Sequence, residues 1–261
     1  DRATVLSSTD GGYKWTANNY PAAGKAMYGL GASSTGAIYM CGVDGTVLHT
    51  ADTGATWQLG RILDWRHYVG AAFPTPDTGL FISTVLQREG CITQVDTAFR
   101  IISQDTFSLG FNSVYVTNAS TAYVLGYGAI LRTTDYRRTW QYLDIKGDNF
   151  TAMHISGSKM WVCGANGSIF YTANAGNTWQ RLRNGNSLAI PRYMLRDILF
   201  TNDNNGWAVG DNGLLIYSND GGHHWMEYAS FTTSALRSIA LCPNGDLLIA
   251  GDAGDLFRLR P

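Results

Sequence analysis

Three observations predict an all-β fold made of repeated four-stranded units. A short phrase, S/T-x-D-x-G-x-T-W, occurs five times, at 7–15, 50–57, 133–140, 172–179 and 218–225. Its tryptophans, Trp15, Trp57, Trp140, Trp179 and Trp225, are 42, 83, 39 and 46 residues apart, and the 83 is two periods. The composition is that of strands and turns: 30 Gly, 14 Tyr and 8 Trp, with Glu89 and Glu227 the only glutamates. A period of about 41 residues with four strands per copy is the signature of a β-propeller blade. A single domain of this class fits the 261 residues.

The clearest copy, 195–229, divides into RDILFT, GWAVG, GLLIYS and HHWMEY, separated by the turn residues NDNN, DNG and NDGG. Each run is short and β-rich, and each separator is turn chemistry. Copies begin near Met27, Tyr68, Phe111, Phe150, Leu195 and Leu236. The second has lost the phrase, and its remnant is GCITQVDTAFRIIS, 90–103. The last copy has three strands before the chain ends, and the N-terminus starts inside a repeat, at TVLSSTDGGYKWT. The expectation is therefore six blades, with the N-terminal strand completing the last and hiding its edge. A seventh blade stays open, because VLSS and LFRLR both read as third strands.

The phrase falls between the third and fourth strands. Asp10, Asp52, Asp135 and Asp220 can accept backbone N–H groups of their own turn, and Gly supplies positive φ. The following Trp offers a large face for packing between blades. One copy has Asn174 for Asp and another Arg137 for Gly, which suits a structural role rather than a catalytic one.

On these residues the chain resembles the Asp-box, or BNR-repeat, β-propellers over nearly its whole length. The stretches GWAVGDNGLLIYSNDGGHHW (206–225) and CGVDGTVLHTADTGATW (41–57) are most similar to the photosystem II stability/assembly factor family. That resemblance implies a propeller, a binding or assembly role, an extracytoplasmic location and a binding face opposite the boxes. The client would be a protein or peptide with an acidic or polar surface, such as a membrane-complex subunit. The chain begins at Asp1 without Met, which is consistent with a removed leader.

The loops expected on that face carry Arg61, Arg66, His67, Arg183, Arg192, Arg196 and Arg237, with Asp64, Asp144, Asp148 and Asp197 as their acids. Arg196 and Arg237 occupy the same repeat position, in LRDI and LRSI. Arginine forks there suit a carboxylate or phosphate. Solvated arginines, some paired to Asp197 or Asp211, are the alternative reading. Trp65 is the one tryptophan outside the repeat pattern, beside Arg66 and His67, and Tyr193 lies in the irregular 183–194 loop. Both are candidate partner contacts. Asp44, Asp211 and Asp252 recur in the second-to-third-strand turns. Turn chemistry explains them, and a carboxylate ring meeting a cation is the alternative.

A net charge of −1 makes no case for nucleic acid, and no apolar run is long enough to span a membrane. No metal-ligand spacing, nucleophile elbow or P-loop occurs, so neither cofactor nor catalytic residue is assigned. The alternative function is a sialidase-like, carbohydrate-active or carbohydrate-binding propeller. It would need a glutamate-activated tyrosine and paired carboxylates. Glu227 lies in HHWMEY toward the rim, Glu89 in the decayed copy, and Arg2 is followed by Ala3 where that family has Arg-Ile-Pro. Cys41 and Cys163 fill an apolar slot held elsewhere by Leu125, Val209 and Ala250. All four cysteines are expected as buried thiols, with a Cys91–Cys242 bridge left open.

Overall fold

The repeated phrase folds as a tight turn fixed by its acid. Asp52 accepts the Thr56 N–H at 2.9 Å and the hydroxyls of Thr50 and Thr56 at 2.6 and 2.5 Å. Asp135 does the same with Thr139, at 3.0 Å for the N–H and 2.6 Å for the hydroxyl. Asp10 accepts the N–H groups of Tyr13 and Lys14, both at 2.9 Å. At Asp220 an imidazole replaces the hydroxyl, with His224 Nδ1 at 2.6 Å. The Thr50 and Thr56 hydroxyls hold the Asp52 carboxyl down at about 2, and those of Thr139 and Thr133 hold Asp135 there too. Asn174 makes the same turn without charge, accepting the Thr178 N–H at 2.9 Å. Each phrase tryptophan stands just before the strand that follows its turn, the fourth of a blade at Trp57, Trp140, Trp179 and Trp225. Trp140 and Trp225 are half-buried against neighbouring cores.

The structure is a computed structural model that describes residues 4–19, 24–135, 137–185 and 193–261. In fold class it is a six-bladed β-propeller. The chain divides into two compact units, Asp1–Tyr142 and Leu143–Pro261.

The first unit opens with a hairpin, β1 (Thr4–Ser7) and β2 (Thr16–Asn19). Three four-stranded blades follow. The first is β3 (Met27–Ala32), β4 (Ile38–Gly42), β5 (Thr46–Thr50) and β6 (Gln58–Arg61). The second is β7 (Tyr68–Thr75), β8 (Thr78–Val85), β9 (Glu89–Asp96) and β10 (Ile101–Phe107). The third is β11 (Phe111–Val116), β12 (Ala122–Gly126), β13 (Ala129–Thr133) and β14 (Gln141–Tyr142). The N-terminal stretch thus supplies two strands where one was expected, paired from Thr4↔Asn19 to Ser7↔Thr16 across the Asp10 turn. In the decayed copy Asp96 still gathers its turn, accepting the N–H groups of Ala98 and Arg100 at 2.9 Å. Ile101 stands where the tryptophan would be. Phe99 packs instead into the space left by Gly60, where a Cβ would meet its ring at 2.3 Å.

The second unit holds β15 (Phe150–Ser156), β16 (Lys159–Gly164), β17 (Ile169–Thr172) and β18 (Gln180–Arg183) as one blade. Another is β19 (Leu195–Phe200), β20 (Gly206–Gly210), β21 (Leu215–Ser218) and β22 (Met226–Glu227). The last, β23 (Leu236–Leu241), β24 (Leu247–Gly251) and β25 (Leu256–Leu259), has three strands among the described residues. Alternating strand residues build cores between consecutive blades. Trp161 stacks on Phe200 with centroids 4.0 Å apart, beside Leu195, Ile198 and Ile216. The four cysteines are buried thiols outside any disulfide, and burial pushes the Cys41 and Cys163 thiols up to about 12.

Candidate functional site

Every blade has a β-bulge at the second residue of its first strand. The register shifts between Met27 and Gly29, Tyr68 and Gly70, Phe111 and Ser113, Phe150 and Ala152, Leu195 and Asp197, and Leu236 and Ser238. A bulged residue loses its ladder partner and its side chain is re-aimed. The bulged residues are Tyr28, Val69, Asn112, Thr151, Arg196 and Arg237. A second device recurs beside it. The first N–H of the next turn bonds back to the carbonyl before the first strand: Val43 to Ala26, Tyr127 to Gly110, Ala165 to Asn149, Asp211 to Met194 and Asp252 to Ala235, at 2.9–3.0 Å. Bulge and turn are thereby clasped together at one end of the blade.

In the second unit this clasp brings Arg196 and Arg237 against acids fifteen residues on. Arg196 Nε lies 2.5 Å from Asp211 Oδ1. Arg237 forms a fork, with Nε 2.5 Å from Asp252 Oδ1 and Nη2 2.8 Å from Oδ2. The hydrogen bond from Arg237 holds the Asp252 carboxyl below its usual range, and the same bond raises Arg237. The pairs also feel each other, since Arg196 helps lower Asp252 and Asp211 helps raise Arg237. The Arg237 and Asp252 side chains stay 46% and 48% exposed, against 21% and 32% for Arg196 and Asp211. The turn under Asp211 requires Gly213. Its φ is +69°, and a Cβ there would lie 1.9 Å from the Thr232 carbonyl.

Other candidates fall in the first unit, around 61–67. Arg61 Nε donates to the Asp44 carbonyl at 3.2 Å, and the Asp44 N–H donates to His67 Nδ1 at 3.2 Å. Asp44 itself pairs with Lys25 at 2.5 Å. It sits one residue later in its turn than Asp211 and Asp252 do in theirs, so the three acids are not equivalent. Arg66 Nη1 bonds to Asp64 at 2.6 Å, and Gln104 reaches the same oxygen at 2.7 Å. Burial works against both charges, and their mutual attraction outweighs it, raising Arg66 and lowering Asp64. Above this pair Trp65 projects into solvent, with the Arg66 guanidinium 5.3 Å from its ring.

Two expected contacts are placed otherwise. Arg183 is buried and donates to the Gly167 carbonyl, and burial lowers its pKa. Tyr193 is half-buried against the core of its unit. Arg192 lies outside the described residues. Of the loop acids, Asp148 and Asp197 are also committed. Asp148 accepts the N–H groups of Asn149, Asn166 and Ser168 at 2.7, 2.8 and 3.2 Å. Asp197 stitches β19 to β23, accepting from Ile198 N, Ile239 N and Ser238 Oγ, each at 2.9 Å. Burial nevertheless raises its pKa. Among the described residues no cluster of His, Cys, Asp or Glu has the form of a metal site.

No protein-family model matches the chain, and no curated protein matches it in sequence. Solved structures do match in fold. A catalytically inactive virginiamycin B lyase from Staphylococcus aureus with quinupristin is similar at a TM-score of 0.75 and 11% identity, over 95% of this chain and 85% of that one. BamB from Moraxella catarrhalis is similar at 0.65 and 14%, over 93% and 84%. YCF48 from Cyanidioschyzon merolae is similar at 0.55 and 14%, over 91% and 96%. At such identities the likeness is one of fold alone, and the chain shares the architecture of these proteins.

Proposed function

We propose that this protein is a non-catalytic binding scaffold, and that Arg196 and Arg237 read acidic groups on a polypeptide partner. One observation carries the reading: the bulges project both arginines, and their acids hold them in fixed orientation. The fork to Asp252 uses Nε and Nη2 of Arg237, leaving Nη1 with no partner among the described residues. A guanidinium oriented in advance loses little freedom when a partner carboxylate arrives, and the new hydrogen bond is charge-assisted. The finer role is assembly of a membrane complex in an extracytoplasmic compartment. It rests on the resemblance of the repeated phrases, read as Asp-boxes, to the photosystem II stability/assembly factor family. The shared fold with YCF48 is consistent with it and adds no role of its own. The test is capture from an envelope extract of the source cell by wild type and by Arg196→Gln/Arg237→Gln. A protein captured by wild type and lost from the variant supports the reading. Equal capture by both sinks it.

A further inference from the structure

The loop end of the first unit carries large apolar side chains that its cores do not use. Leu63 is 84% exposed, Leu86 87%, Trp65 65% and Tyr127 60%. The register places them at one end of adjacent blades. Tyr68, which the 62–67 loop leads into, pairs with Ser83 near the end of β8. The turn bearing Leu86 closes the Val85↔Glu89 pair at that same end. Gly110 then ties two turns together, donating to the Gln87 carbonyl at 3.1 Å and accepting the Tyr127 N–H at 3.0 Å.

The backbone holds these side chains out rather than leaving them loose. Ile62, fully buried, anchors the first loop, and its N–H bonds to the Gly45 carbonyl at 2.8 Å. Gly45 N–H in turn bonds to the Arg66 carbonyl at 3.0 Å. Leu86 and Gln87 both lie in the left-handed region, with φ of 49° and 56°. Glycine or asparagine would adopt that conformation without strain. Leu86 keeps that conformation with its side chain in water, so core packing is not what selects leucine there. Cations interleave with the apolar tips. Arg61 and Arg88 are exposed, and Glu89 is the exposed acid beside them. Asp44 and Asp64 are already tied to Lys25 and Arg66.

We infer that this end of the first unit docks on an anionic phospholipid bilayer, with Leu63, Trp65 and Leu86 entering the interface and Arg61 and Arg88 meeting lipid phosphates. A protein hot spot lies in a packed, complementary pocket. Leucines this exposed on turns suit a fluid apolar medium that closes around them. The cleft lined by Tyr39, Phe73, Asp77 and Phe99 lies at the opposite end of the second blade, where the β7–β8 and β9–β10 turns meet. Tryptophan beside arginine is the pairing expected at headgroup depth. The net charge of −1 does not oppose it, because attraction to a charged surface acts only within about a Debye length, roughly 8 Å in physiological salt. No helix of the structure is long and apolar enough to cross a membrane, and docking needs none.

The test is flotation with vesicles of phosphatidylcholine alone or with about 30% phosphatidylglycerol. Wild type is expected to float with the anionic vesicles and to be released by salt. Leu63→Ser/Trp65→Ser/Leu86→Ser should lose roughly tenfold or more in partitioning with its melting temperature unchanged. Arg61→Gln/Arg88→Gln should lose the salt dependence. Trp65→Phe should still float but lose the part of the fluorescence that brominated acyl chains quench in wild type. Absence of wild-type flotation at low salt overturns the inference, as does equal flotation of the triple variant. Capture of a protein through these three residues without vesicle binding overturns it too. Arg196→Gln/Arg237→Gln should float as wild type does, so this inference and the proposed function fail separately.

Discussion

Replacing Asp197 with Ala removes the acceptor that joins the first strands of two consecutive blades. Two buried backbone donors lose their partner, Ile198 N and Ile239 N, in residues 3% and 5% exposed. The Ser238 hydroxyl is exposed and turns to water. Each orphaned buried donor costs about 1–3 kcal/mol. Against this stands the relief of no longer burying a carboxylate, the cause of its raised pKa. The net loss should be about 3 kcal/mol, or roughly 6–12 °C in melting temperature for a chain of this size. Asp197→Asn keeps an acceptor oxygen and drops the buried charge, so it should fall between Ala and wild type. Asp211→Ala, at a partly exposed pair, should cost no more than about 1 kcal/mol. Thermal denaturation followed by circular dichroism reads all three. An Asp197→Ala protein melting with wild type, or an Asp211→Ala protein less stable than it, would refute the reasoning.

Gly213→Ala should cost at least about 2 kcal/mol, because φ is positive and the new Cβ meets the Thr232 carbonyl; urea unfolding gives the number. Arg66→Ala leaves Asp64 buried without its cation and should cost about 3 kcal/mol, well above Arg100→Ala at an exposed pair, by the same measurement. The Asp52 and Asp135 carboxyls are depressed to about 2 from 3.8, so their stabilisation is complete above about pH 4 and is lost as pH falls toward 2. Asp52→Asn/Asp135→Asn should therefore melt below wild type at pH 7 and converge with it near pH 2. A gap that persists at low pH would show that these turns do not carry the linkage.

Much of the fold was legible because turn residues mark its boundaries. RDILFT, GWAVG, GLLIYS and HHWMEY became β19 to β22, and the phrase between the last two became an acid-gathered turn. The decayed copy was legible too, since Asp96 kept the turn after the tryptophan was lost. The bulge was not. It recurs at Tyr28, Val69, Asn112, Thr151, Arg196 and Arg237, five residue types over six blades, so no composition signal marks it. The acids facing the two arginines were recoverable in principle, because LRDILFTNDNNGWAVGD and LRSIALCPNGDLLIAGD repeat the same spacing from Arg to Asp. Sequence reading offered Asp211 as an alternative partner for these arginines and did not reach the Arg237–Asp252 fork. Arg183 misled because QRLR looks like a loop entry. A register shift between Ile169 and Phe170 lies beside it, and its guanidinium is buried at the Gly167 carbonyl. Whole-chain charge was equally blind, since −1 averages over the cationic, apolar end of the first unit.

The most direct test of the central claim exchanges the two members of one pair. Arg237→Glu/Asp252→Arg keeps the ion pair and hence the local fold, but reverses which end is positive. Affinity for the captured partner, measured by calorimetry, should fall roughly tenfold or more with melting temperature unchanged, because charge facing the partner acts through sign and geometry. Single Arg237→Gln should fall similarly. If the exchanged protein binds as wild type does, the arginines are fold-holding groups and the scaffold recognises its partner elsewhere.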